Sequence, residues 1–166
     1  MTDRPRPCLA WTAMGSTMAL VAAKLVLASG PSQVLRALGI ALLLASPWLY
    51  ISPFVFLGSK TRPESMPAAS YMDTAVVADR GPYALVRHPQ YLGYMILGVG
   101  LAMLLQRWWA GLLAAVSIVL YVALSLKEEH ALRTRLGASY TAYARRVPRF
   151  NLFLGLVRWA RERHNR

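Results

Sequence analysis

Four long apolar runs leave this chain few folds to choose from. They cover about Cys8–Ala28, Val34–Leu57, Pro89–Leu105 and Ala110–Leu126. A run of about 20 apolar residues matches the hydrocarbon thickness of a bilayer when helical. Only helices and closed barrels satisfy their backbone groups there. The runs are continuous rather than alternating, so helices are expected. The first run, with Arg4 and Arg6 ahead of it, also has the outline of a signal peptide. Its length, and the lack of a small-x-small site before a polar start, favour a retained helix with Lys24 snorkelling near its far end.

Turn signals separate the runs. Gly30-Pro31-Ser32-Gln33 parts the first two, and the second, holding Pro47 and Pro53, is expected to kink. Residues 58–88 form a polar loop with a short helix around Met72–Ala78. Gln106-Arg107-Trp108-Trp109 is a tight turn with interfacial aromatics, which makes residues 89–126 a helical hairpin. Gly93, Gly98 and Gly100 suit close helix packing. They form no G-x-G-x-x-G pattern after a strand, which argues against a Rossmann domain. The expected fold is therefore an all-α integral membrane protein. It has two spans in residues 1–57, the loop, the hairpin, and a cap with amphipathic helices in residues 127–166, all in one domain.

The net charge of +12, from 19 Lys and Arg against 7 Asp and Glu, fits basic loops facing anionic lipid better than nucleic acid. The basic residues gather at both termini and in the 58–88 loop, so these segments are expected on the cytoplasmic side. Cys8 is the single cysteine, which excludes an internal disulfide and a cysteine metal cluster, and no metal is expected. Lys24 is the one ionisable group within a span proper, which speaks against a transporter or channel.

Two segments carry the chemistry. Arg80 to Tyr94 reads R-G-P-Y-A-L-V-R-H-P-Q-Y-L-G-Y. Pro89 suits the first helical position, with His88 at or beside the N-cap and Arg87 just outside. Tyr91 and Tyr94 share a face, beside the free N–H groups and positive dipole end that favour an anion. Interfacial anchoring is the plainer use of such residues. The second segment opens with Lys127-Glu128-Glu129-His130. Its helix is expected to run through Leu136, with Gly137 as a C′ residue. Tyr140 and Tyr143 then share a face, Arg145, Arg146 and Arg149 follow, and residues 151–166 read as an interfacial amphipathic helix. Glu128 and Glu129 could equally offset Lys127 and Arg133, and the arginines could face lipid phosphate.

Together these pieces resemble the isoprenylcysteine carboxyl methyltransferase family and its phospholipid methyltransferase relatives. The pattern G-P-Y-x-x-V-R-H-P-x-Y-x-G appears at Gly81 to Gly93, E-E at Glu128-Glu129, and L-G-x-x-Y-x-x-Y-x-x-R-V-P at Leu136 to Pro148. The likeness covers roughly the second half of the chain. It implies a membrane enzyme using S-adenosylmethionine on a lipidic or prenylated small molecule. By position it implies that His88 and Tyr91 contact the cofactor, with Arg87 and Tyr83 supporting them, and that Tyr140, Tyr143 and Glu129 close the pocket. It places Arg146 near the acceptor, with Glu129 or Glu128 as its partner. The family often has proline soon after R-V-P, whereas this chain has Asn151-Leu152.

A carboxylate acceptor needs positioning, which an arginine supplies. A phenol or amine acceptor would need a base, and Glu128, Glu129 or His130 would serve. A non-catalytic membrane protein, binding anionic lipid or a partner through its basic tail, is the reading from another class.

Overall fold

The computed structural model describes residues 7–60 and 81–164. Most of the 58–88 loop, including the helix expected at Met72–Ala78, lies outside the described residues. Among the described residues there are five α-helices: α1 (Pro7–Val26), α2 (Gln33–Lys60), α3 (Pro89–Leu105), α4 (Trp108–Arg146) and α5 (Leu152–His164), with a 3-10 turn at Gly81–Ala84 before α3. No strand occurs among the described residues. α1, α2 and α4 contain stretches long and apolar enough to cross a membrane, whereas α3, at 17 residues, is shorter. The expectation of four spans thus meets three helices of full length and one at the lower limit of about 17 residues.

The bundle is apolar on its outside. Trp11, Leu44, Leu112 and Val119 are all exposed, as lipid-facing side chains would be. α3 is the central element, packed against α1, α2 and α4. Its glycines divide by role. A Cβ on Gly93 would lie 2.9 Å from the Tyr50 backbone nitrogen, and one on Gly100 3.0 Å from the Gly39 carbonyl oxygen. Both let α2 approach α3 at backbone distance. A Cβ on Gly98 would meet only Leu20 at an ordinary 3.8 Å. Gly93→Ala is accordingly expected to cost about 1–3 kcal/mol by overpacking, and Gly98→Ala under about 0.5 kcal/mol. Thermal melting in detergent reads both; equal midpoints would contradict this account of the α2–α3 contact.

α2 is an unbroken helix through Pro47 and Pro53. α1 joins α4 by polar links, with Ser16 Oγ 2.7 Å from Ser117 Oγ and Thr17 Oγ1 3.3 Å from Tyr121 Oη. At one end of the bundle Gln106, in a left-handed conformation, closes the hairpin turn. Its side-chain amide accepts from the Ser32 N–H and donates to the Ser32 carbonyl, both at 2.9 Å, which ties the α1–α2 turn to the α3–α4 turn.

α4 has 39 residues, or about 58 Å at the helical rise, roughly twice the hydrocarbon thickness. Its apolar first half runs in the bundle, and from Lys127 it projects beyond. Gly137 breaks it with φ 54°, so the expected C′ residue marks a break after which helix resumes to Arg146. α5 then follows a short turn.

Candidate active site

The site forms where the projecting part of α4 folds back over the start of α3. His88 is the N-cap residue of α3 and Pro89 its first helical residue. The His88 side chain makes no cap hydrogen bond, so it is free to point elsewhere. After α4 ends, residues 147–149 run beside residues 87–88. The Arg87 N–H donates to the Pro148 carbonyl at 2.9 Å and the His88 N–H to the Arg149 carbonyl at 3.4 Å. Tyr143 Oη donates to the Tyr83 carbonyl at 2.8 Å. These bonds clamp the C-terminal cap onto the segment before α3.

Glu129 sits at the centre, with a side chain 3% exposed. Arg149 grips it with two parallel bonds of 2.8 Å, Nε to Oε1 and Nη2 to Oε2. His88 Nε2 lies 3.2 Å from Oε1. Arg87 Nη1 stands 3.1 Å from Oε2, a charge contact without hydrogen-bond alignment. Exposed Arg133 adds a distant contact at 3.8 Å. On its other side His88 presents Nδ1 to Glu128 Oε2 at 3.4 Å. Glu128 keeps 28% of its side chain in solvent. Neighbours on a helix point about 100° apart, and only one of the two glutamates can face inward.

The electrostatics follow from this crowding. Burial alone would raise the Glu129 pKa. Hydrogen bonds from Arg149 and His88, with the charge of Arg87, outweigh it and hold the carboxyl well below the usual range. Burial opposes charge on His88, but bonds to Glu128 and Glu129 prevail and raise its pKa above the ordinary value. Both ring nitrogens then donate, one to each carboxylate. Burial, then the Glu129 charge, pushes the Tyr140 phenol up to about 12. Burial followed by Glu128 raises Tyr83 as well.

A pH dependence follows. The raised His88 pKa contributes stability that is complete below about 6.5, the ordinary value, and is lost as pH rises through the folded value. The depressed Glu129 pKa contributes stability that is present above about 4.3 and lost only as pH falls through its folded value. The wild-type melting temperature is expected to fall on the alkaline side as pH rises above about 6.5. His88→Gln should flatten that slope; an unchanged slope would remove His88 as its cause.

Three buried polar atoms here have no hydrogen-bond partner: Arg87 Nε, Arg87 Nη1 and Tyr140 Oη. Such groups are costly unless a ligand or water meets them. Next to them a column of rings runs from the charged cluster into the bundle. His88 stacks on Tyr91 at 5.5 Å, Tyr91 on Tyr121 at 5.7 Å, Tyr121 on Tyr94 at 5.6 Å and Tyr94 on Tyr50 at 5.6 Å. Phe150 tilts against His88 at 5.9 Å.

Of the residues expected from the sequence, Arg87, His88, Glu128, Glu129 and Tyr91 come together directly. Tyr83, Tyr140 and Tyr143 pack beside them. The expected pairing of Arg146 with a glutamate is corrected. Arg146 ends α4 with its side chain exposed, and Arg149, three residues later, grips Glu129. The cause is the extended run of 147–149, which buries Val147 and brings Arg149 back to the site. Arg149 was read only as one of three arginines that could face lipid phosphate, and Phe150 and Tyr121 escaped the sequence reading. Only Tyr121 left a signal, a polar ring inside an apolar span.

The phospholipid methyltransferase family profile matches residues 34–139. That segment includes Arg87, His88, Tyr91, Glu128 and Glu129 but stops short of Tyr140, Tyr143 and Arg149. A protein-S-isoprenylcysteine O-methyltransferase of Schizosaccharomyces pombe is 34% identical over 108 residues, covering 57% of this chain and 45% of that protein. Protein-S-isoprenylcysteine O-methyltransferase B of Arabidopsis thaliana is 36% identical over 69 residues, covering 41% of this chain and 35% of that protein. The matched segment thus spans less than half the length of either relative. No solved structure matches. The profile covers more than half of the chain, including the centre of the ion cluster, and the chain belongs to the phospholipid methyltransferase family.

Proposed function

We propose that this chain is an S-adenosylmethionine-dependent membrane methyltransferase that esterifies the carboxylate of an isoprenylcysteine-like lipid. The carrying observation is that Arg87 Nε and Tyr140 Oη are buried at the mouth of the bundle without a hydrogen-bond partner, beside Arg87 Nη1, which has only its charge contact with Glu129. These groups fit the carboxylate of S-adenosylmethionine. The cluster around them also favours an anion, because Arg87, His88 and Arg149 bring three positive charges against two carboxylates. The aromatic rings beside the cluster, Tyr91 stacked between His88 and Tyr121, supply π-density suited to a neighbouring sulfonium cation. S-adenosylmethionine supplies an activated methyl group when bound.

The other residues hold and exclude. Tyr143, bonded to the Tyr83 carbonyl, fixes the rim. Glu129 is a positioning residue: its oxygens are filled by Arg149 and His88, and its depressed pKa makes it a poor proton acceptor. A carboxylate acceptor needs no base, only an oriented approach to the methyl group. Arg146 and the exposed edge of Arg149 are the cations available for it. If the acceptor carried a proton instead, Glu128, partly exposed beside His88, is the carboxylate placed to take it. We assign this end of the bundle to the cytoplasmic side from the excess of basic residues. The names of the two relatives support the choice of acceptor class.

Purified protein in lipid nanodiscs, given methyl-labelled S-adenosylmethionine and a prenylcysteine, should yield label that base releases as methanol. Label that stays in the lipid after base would mean an ether or amine product and would overturn the carboxyl assignment.

A further inference from the structure

The outer face of α5 has no role in the site as described. α5 begins two residues after Phe150, which touches His88 at the head of α3, so it lies at the level where the bundle ends. Its inner face is fixed. Gly155 packs so tightly on Leu85 that a Cβ would overlap the Leu85 carbonyl. Arg158 Nη1 donates to the carbonyls of Arg145 at 3.2 Å and Arg146 at 3.1 Å, binding α5 to the end of α4. The outer face is apolar at its centre. Phe153 is 78% and Leu156 46% exposed, and Ala160 extends the stripe at helical spacing. Exposed Arg161 flanks the stripe, and exposed Arg145 and Arg146 lie on the neighbouring helix end.

We propose that α5 docks on an anionic lipid surface, and that this contact steadies the site. An apolar stripe with basic flanks, held at the mouth of a membrane bundle, complements the headgroup boundary of such a leaflet. Two large apolar side chains give a modest anchor alone, and the arginines make the attachment depend on lipid charge. The link to the site is direct. The chain entering α5 carries the Pro148 and Arg149 carbonyls that hold the Arg87 and His88 amides, and Gly155 presses on the turn preceding them. This inference stands whether or not the chain transfers a methyl group.

The test uses the full chain with Cys8→Ser and Ala160→Cys, labelled with an environment-sensitive fluorophore. It is placed in nanodiscs of phosphatidylcholine alone or with phosphatidylglycerol. Emission is expected to shift to the blue in the anionic discs only, and high salt should reverse the shift. Amide exchange across residues 81–88 should slow roughly fivefold in the same discs, as expected for one arginine's attraction to the surface. Adding Phe153→Asp should abolish both changes. The same emission and exchange in the two lipids, whether the probe is buried in both or exposed in both, would overturn the proposal. Neither readout involves S-adenosylmethionine, so its failure is separate from failure of the methyltransferase reading.

Discussion

Glu129→Ala is expected to destabilise the protein by about 3–5 kcal/mol, a large part of the 5–15 kcal/mol typical of a folded domain. The substitution removes the anion on which Arg149, His88 and Arg87 converge, within a space almost closed to water. Three cations would then face one another with only Glu128, on the far side of His88, to offset them. Glu129→Gln separates charge from shape. It keeps the volume but puts an amide N–H where the paired donors of Arg149 need an acceptor, so it should be nearly as damaging. Arg146→Ala, at an exposed position, should change stability by less than about 0.5 kcal/mol. Melting in detergent compares the three. A Glu129→Ala protein as stable as Arg146→Ala would show that the cluster does not hold the cap in place.

Arg87→Ala should act differently. Arg149 keeps its two bonds to Glu129, so the cap persists, while the buried donors at the mouth disappear. A charge-assisted bond is worth about 1.5–3 kcal/mol, so S-adenosylmethionine should bind about 10–100-fold more weakly. Arg87→Lys should recover part of this, because an ammonium restores charge without the planar fork. Equilibrium dialysis with labelled ligand measures the series. Wild-type affinity in Arg87→Ala would remove Arg87 from the ligand site.

The helices were legible in the sequence where local chemistry fixes them. Pro89 sets the start of α3, Gly137 the break in α4, and the Gly30–Gln33 turn the start of α2. The order of R-H-P and E-E led to the two segments that meet, because the first opens α3 and the second lies on α4 just past its apolar stretch. Which arginine meets Glu129 was not legible. The family resemblance pointed to Arg146, the arginine of R-V-P, but the choice is made by backbone bonds from Arg87 and His88 to Pro148 and Arg149, some 60 residues away in sequence. The choice between Glu128 and Glu129 was hidden for a similar reason, since it depends on the rotation of α4 against α3. The bonds from Gln106 to Ser32 likewise join two turns that carry no mark of each other.

The most direct measurement is ultraviolet cross-linking of methyl-labelled S-adenosylmethionine to the protein in nanodiscs, followed by peptide mapping. The label is expected on residues 81–94 and 137–149, the two segments clamped together by the Arg87–Pro148 and Tyr83–Tyr143 bonds. Saturable label confined to other segments, or no saturable label at all, would contradict a donor site at the Arg87–Glu129 cluster.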